Sequence, residues 1–199
     1  MRPRSFGDAG QAFPIYIVVV GGLLFLAFAY FAVGQAAANR NDAQTAADAA
    51  ALAAAQDRRD ALTDAWVTHL EDPAAWMGIF NGEAEGFGLS CARAEQLAAQ
   101  NDATVLSCTS EGLLDYTVEV ETNQTVGESI VPGTEDYRSR ESATAVIDSR
   151  CTFDPLPEGA EDDALPSLKC EGTTWTLDPK DPRELLPQPE DLFDVHLAD

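Results

Sequence analysis

The sequence predicts an α+β chain. A long N-terminal transmembrane helix continues into an Ala-rich extracytoplasmic helix, followed by a small helix-plus-antiparallel-sheet domain and a Pro-rich tail. Three observations carry this expectation. Residues 12–33 form a charge-free, mostly apolar run of 22 residues. Residues 44–56, QTAADAAALAAAQ, are dominated by alanine, and residues 114–122 alternate apolar with polar.

As an α-helix the first run rises roughly 33 Å, about the thickness of a bilayer's hydrocarbon core. Pro14 falls near its start, where a missing N–H costs least. Arg2 and Arg4 precede the run, and positive residues tend to stay on the cytoplasmic side. Only Arg2, Arg4 and Asp8 lie before residue 39, so of 12 Lys and Arg and 34 Asp and Glu, 10 and 33 remain on residues 39–199, a net of −23. The expectation is a single-pass protein of the cell membrane, N-terminus cytoplasmic and C-terminal domain extracytoplasmic. A cleaved signal peptide is the competing reading, with Ala36 and Ala38 as small residues near a cut, but its apolar region is usually only about 7–15 residues long.

The chain divides accordingly into a cytoplasmic leader (1–11), a transmembrane helix (12–38), an extracytoplasmic helical segment (39–75), a small α+β domain (76–150) and a Pro-rich, acidic, disulfide-bearing tail (151–199). After the polar break at residues 39–42, strong helix formers run to residue 57 without Gly or Pro, so the membrane helix is expected to continue as one rod. Ala32 with Ala36, and Gly34 with Ala38, stand four residues apart, a spacing of small side chains that permits close approach of another helix. Helix propensity alone explains the same alanines. Packing against another helix is placed ahead, because an alanine surface buries little against its own domain.

A second helical stretch is expected over residues 58–66, ending before Pro73, which disfavours helix at the residue before it. Residues 76–88, with four glycines, read as loop. Residues 91–99 read as helix, closed by a turn at Gln100, Asn101 and Asp102. Residues 104–108 and 114–122 read as strands, the second with Tyr116, Val118 and Val120 on one face and Thr117, Glu119 and Glu121 on the other. Residues 123–142 read as a polar loop, and residues 142–147 as a third strand with Ala143, Ala145 and Ile147 on one face. Three strands and a helix suffice for a small α+β layer.

Beyond Cys151 lie seven of the 11 prolines and the acidic run 158–163, a composition of extended chain. Residues 174–177 and 192–197 interrupt it as candidate short strands laid back on the domain. The four cysteines, Cys91, Cys108, Cys151 and Cys170, all fall in the exported part, where disulfides are expected. Three connectivities exist; loop closure favours Cys91–Cys108 and Cys151–Cys170. No pair has zinc-knuckle spacing.

The acidic excess argues against binding nucleic acid or anionic lipid headgroups, both of which need clustered Lys and Arg. His69 and His196 lie in no catalytic or metal motif, and a helix-end role explains His69. The run 158–163 lacks the alternation of a calcium loop, so a solvated charge run is preferred. Trp66, Trp76 and Trp175 read as core or domain-contact residues. No cofactor is expected and no enzyme.

The glycine-containing basic leader, the long apolar helix and the exit signature Gln44-Thr45-Ala46-Ala47-Asp48-Ala49-Ala50-Ala51-Leu52-Ala53-Ala54-Ala55 resemble TadE/TadG-like proteins of Flp-type (tight-adherence) pilus assembly, with the TadG-like N-terminal type the better fit. The resemblance covers residues 6–56, about a quarter of the chain. It implies a single-pass envelope protein that helps assemble, anchor or initiate a thin pilus. Its partners would be the membrane and other pilus-assembly or pilin helices, or a second copy through the N-terminal helix. The expected helix-packing residues are Gly34, Ala36 and Ala38, with Gln44, Thr45, Ala47, Asp48 and Ala51 of the exit signature. Cleavage after Gly10 would place Ile15 at the fifth mature position, where processed pilin-like members carry glutamate, so permanent anchoring is expected. The alternative is a membrane-tethered extracytoplasmic binding or adhesion module whose helix is only an anchor.

Overall fold

The structure, a computed structural model, describes residues 12–84, 90–125, 136–154, 156 and 164–198. It is α+β, with a long helix lying along an antiparallel sheet. The helix, α1 (Ala12–Thr68), runs 57 residues without a break. It passes straight through the polar residues 39–42, because nothing between Gly34 and Pro73 is Gly or Pro. The separate helix expected over residues 58–66 is the last part of this same rod.

The expected loop at residues 76–88 is corrected. Its first part belongs to a helix, α2 (Pro73–Phe80), with Pro73 in the first turn after Asp72. The proline supplies a preset φ where its missing N–H is harmless. Burial of Trp76, Ile79 and Phe80, three or four residues apart, holds the element in place despite Gly78. Its chain reverses at Gly82, whose φ of +89° and whose Leu113 and Leu114 neighbours leave no room for a Cβ. Residues 85–89 lie outside the described part.

Next come α3 (Cys91–Gln100) and the strands β1 (Ala103–Thr109), β2 (Asp115–Thr122) and β3 (Arg140–Ser149). All three strands appear where the alternation places them, each longer than expected or within a residue of it. A short second sheet follows: β4 (Cys151–Phe153), β5 (Leu168–Cys170) and β6 (Thr173–Trp175). The β5–β6 hairpin turns on Glu171 and Gly172, both at positive φ, as a two-residue turn of matching twist requires. A single 3-10 turn (Arg183–Leu185) and α4 (Pro189–Leu192) lead into β7 (Phe193–Leu197). That last strand pairs with β3, so the main sheet has the order β1-β2-β3-β7, antiparallel throughout. The chain assigned to the tail thus contributes an edge of the main sheet. The acidic run 158–163 lies outside the described residues.

The core lies between α1 and one face of the sheet. Tyr116, Val118 and Val120 of β2 and Ala143, Ala145 and Ile147 of β3 point into it. Opposite them are Ala46, Ala47, Ala50, Ala51, Ala54 and Ala55 of α1, all fully buried, and Ala94 and Ala98 of α3. Small side chains on the helix let its backbone lie close to the branched side chains of the strands. The far face is polar, with the Thr117 and Thr144 hydroxyls 2.8 Å apart across β2 and β3. At the end of α1 an aromatic cluster closes the fold. Trp66 and Trp76 are 5.6 Å apart, Trp76 meets Phe153 edge-on at 5.2 Å, and Phe80 meets Phe193 at 5.6 Å.

Candidate interaction surfaces of the N-terminal helix

Among the described residues, the first part of α1 buries none of its apolar window. Phe13, Ile15, Phe25, Leu26, Tyr30, Phe31 and Val33 are all exposed, as is every other large apolar residue between them. A contiguous apolar surface of this size is far beyond what a monomer carries in water. The helix is long and apolar enough to cross a membrane by length and composition.

Of the expected helix-packing residues, Gly34, Ala36 and Ala38 are exposed on this bare part. Among the described residues, nothing beyond its own helical turn comes within 4 Å of a Cβ built on Gly34. Thr45 is exposed and returns its hydroxyl to Asn41 O at 2.9 Å, while half-buried Gln44 donates Nε2 to Asp48 Oδ1 at 2.8 Å. Ala47 and Ala51 lie elsewhere: both are fully buried beneath the chain's own sheet. The expectation that alanines bury too little to serve their own domain is therefore corrected. Each alanine contributes little area, but a row of them brings the helix close enough for Val118 and Val120 to fill the space.

The change occurs at Asn39. Its Oδ1 accepts from the backbone N–H of Ser139 at 3.2 Å, and its Nδ2 donates to Gln124 O at 3.3 Å. Thr122 completes this buried clasp, its hydroxyl accepting from Ser139 N–H at 3.2 Å and donating to Gln124 O at 2.9 Å. Beside it Arg40 Nε meets Glu141 Oε1 at 2.6 Å. Sequence reasoning took residues 39–42 only as a polar break. The available signal was an amide, able to donate and accept, at the junction of the apolar and alanine runs.

Further along α1, Arg58 is 5% exposed and donates Nη2 to Gly82 O at 2.6 Å, which ties the α2–α3 connection to the helix. Its Nε and Nη1 have no partner among the described residues, and both are covered. Near it, burial pushes the Tyr116 phenol above its ordinary pKa, with Arg58 partly opposing the shift. His69 follows the last turn of α1, and its carbonyl accepts from Trp76 Nε1 at 3.0 Å. Arg183 pairs with Asp64, fastening the C-terminal segment to the helix. The cysteines are joined as Cys91–Cys108 and Cys151–Cys170, the second pair directly opposite one another in β4 and β5. Among the described residues no group of three His, Cys, Asp or Glu is arranged to hold a metal ion.

Residues 10–57 match the family model described as putative Flp pilus-assembly TadE/G-like. No curated protein and no solved structure matches the chain. The matched segment takes in the bare apolar part of α1 and its alanine row, and stops one residue short of Arg58.

Proposed function

We propose that this chain, TadE/G-like over residues 10–57, is a single-pass membrane component of Flp-type pilus assembly, acting as a scaffold rather than a catalyst. The change in α1 at Asn39 carries the reading. Before that residue the helix offers a bare apolar surface; after it, the helix is the spine of a folded domain. Arg2 and Arg4 support a cytoplasmic N-terminus. Two disulfides and a net charge of −23 on residues 39–199 support an exported, soluble domain. Contact with other pilus-system helices, or with a second copy, then falls to the apolar face and to Gly34, Ala36 and Ala38. Gln44, Thr45 and Asp48 flank that surface.

The test is to place Leu at Gly34 and Ala36 in the cell that makes the protein, and a photo-cross-linking residue at Ala36 in a separate strain. Loss of pili, with the protein still extracted only by detergent and cross-linked to another helix in the unsubstituted background, supports the scaffold. Unchanged piliation with no cross-link leaves the helix an anchor and the domain a tethered binding module. Release by alkaline carbonate removes the membrane assignment itself.

A further inference from the structure

We propose that the β2–β3 end of the sheet rests on the outer headgroup layer of the bilayer, with Tyr137 in the interface and Arg40, Arg138 and Arg140 reaching headgroup phosphates. The inference rests on the membrane-anchored reading above and adds an orientation and a lipid contact to it.

The height follows from the helix. Residues 13–33 rise about 31 Å, matching a hydrocarbon core of about 30 Å. Asn39 stands six residues past Val33, about 9 Å further along an unbroken helix. The headgroup region takes roughly 5–8 Å on each side, so Asn39 sits at its outer edge. Asn39 holds Ser139 at that height directly, and no linker intervenes.

The direction follows from the pairing of α1 with β3. Arg40 meets Glu141 at one end, and Trp66 reaches Phe153 through Trp76 at the other. The 26 residues of helix from Arg40 to Trp66 and the 12 residues of extended chain from Glu141 to Phe153 each rise about 40 Å, so the two run alongside one another away from the bilayer. The end of the sheet that carries Gln124, Tyr137 and Arg138 therefore faces the membrane.

The chemistry of that end fits a headgroup layer. Tyr137 is 66% exposed. An amphipathic ring gains at the bilayer surface what it lacks in water. Arg138 and Arg140 are exposed beside it and Arg40 is exposed on α1 at the same end, three of the 10 Lys and Arg in residues 39–199. Arg40 pairs with Glu141, and Arg138 and Arg140 share Glu121 at 3.7 and 2.7 Å. Solvent-exposed pairs of this kind hold weakly, so the guanidinium groups are free to share a phosphate. Asp42, Asp136, Glu121 and Glu141 outnumber the three arginines, so the contact is local and needs no anionic lipid.

Full-length protein in phosphatidylcholine nanodiscs tests this, with a nitroxide on a single introduced cysteine while the native four stay paired. The sites are Tyr137→Cys, Gln124→Cys, which keeps Tyr137, Leu26→Cys within the apolar run, and Leu185→Cys, exposed on the C-terminal segment. Collision with a water-soluble nickel relaxant is expected to be several-fold lower at residues 137 and 124 than at 185, and lowest at 26. Residues 137 and 124 as accessible as 185, with 26 still shielded, overturns the lipid contact alone. Free access at residue 26 overturns the membrane reading and the contact with it.

Discussion

Asn39 Oδ1 accepts the backbone N–H of Ser139 at 3.2 Å, joining residues 100 positions apart at the point where α1 stops being bare and begins to carry the domain. The pair ties the residue that precedes β3 to the helix at that point. Replacement of Asn39 by Ala removes one hydrogen bond from Ser139 N–H and one from Gln124 O, leaves each with Thr122 alone, and opens space in an enclosed site. Two lost hydrogen bonds at about 0.5–1.5 kcal/mol each set the expected cost. Asn39→Asp keeps the acceptor and loses the donor, so its cost is expected to fall between wild type and Ala. Denaturant unfolding of the full-length protein in one detergent gives the order.

Leucine substitutions along α1 are expected to separate two functions of one helix. Ala47→Leu and Ala51→Leu force extra methylenes beneath β2 and β3, and overpacking of this kind costs typically about 1–3 kcal/mol. Ala36 is exposed, so Ala36→Leu is expected to leave domain stability unchanged while obstructing a neighbouring helix. Thermal unfolding compared with cross-linking yield in the membrane distinguishes them. A stability loss at Ala36 equal to that at Ala47 would contradict the exposed placement of Ala36.

Periodicity made much of this architecture legible. The alternation of β2 identifies the buried side of Tyr116, Val118 and Val120, and β3 presents Ala143, Ala145 and Ile147 as its spacing predicts. The uninterrupted helix formers announce α1. What escaped depends on contacts distant in sequence. Glycines at 78 and 82 argue for a loop, yet Trp76, Ile79 and Phe80 bury enough surface to hold α2. The signal for it was their helical spacing. The alanine row has the same composition whether it faces a sheet or a partner helix, so only the positions of Val118 and Val120 against it decide. Strands β4, β5 and β6, three residues each, are too short to show a period. The role of Asn39 is set by Thr122, Gln124 and Ser139, none of them near it in sequence.

The two disulfides are expected to stabilise by similar amounts. Their loops span 17 and 19 residues, for which the chain-entropy model gives about 3 kcal/mol each. Replacing Cys91 and Cys108 together by Ala frees the start of α3 from β1, while the same change at Cys151 and Cys170 loosens the β4–β5 pairing. Each double variant is expected to lower the unfolding midpoint, the second also weakening contact between Phe153 and Trp76. Near-ultraviolet circular dichroism of the tryptophans reports that contact, and an unchanged signal in the second variant would show that the aromatic cluster holds β4 without the bond.

Tyr116 gives the domain an alkaline limit. Burial disfavours its phenolate, and nearby Asp57 and Asp115 add to the upward shift, while Arg58 and Ser90 oppose it. The folded pKa therefore lies above the unfolded value of about 10. A group raised in this way contributes its stability fully below the unfolded pKa. That contribution is lost as pH rises through the folded value, because the unfolded chain releases the proton first. Unfolding free energy is thus expected to be insensitive to Tyr116 near neutral pH and to fall above about pH 10. Tyr116→Phe removes the ionisation while keeping the ring between α1 and β2, so its stability is expected to decline less steeply over the same alkaline range. Parallel slopes for the two proteins would mean that Tyr116 is not desolvated where α1 crosses β2.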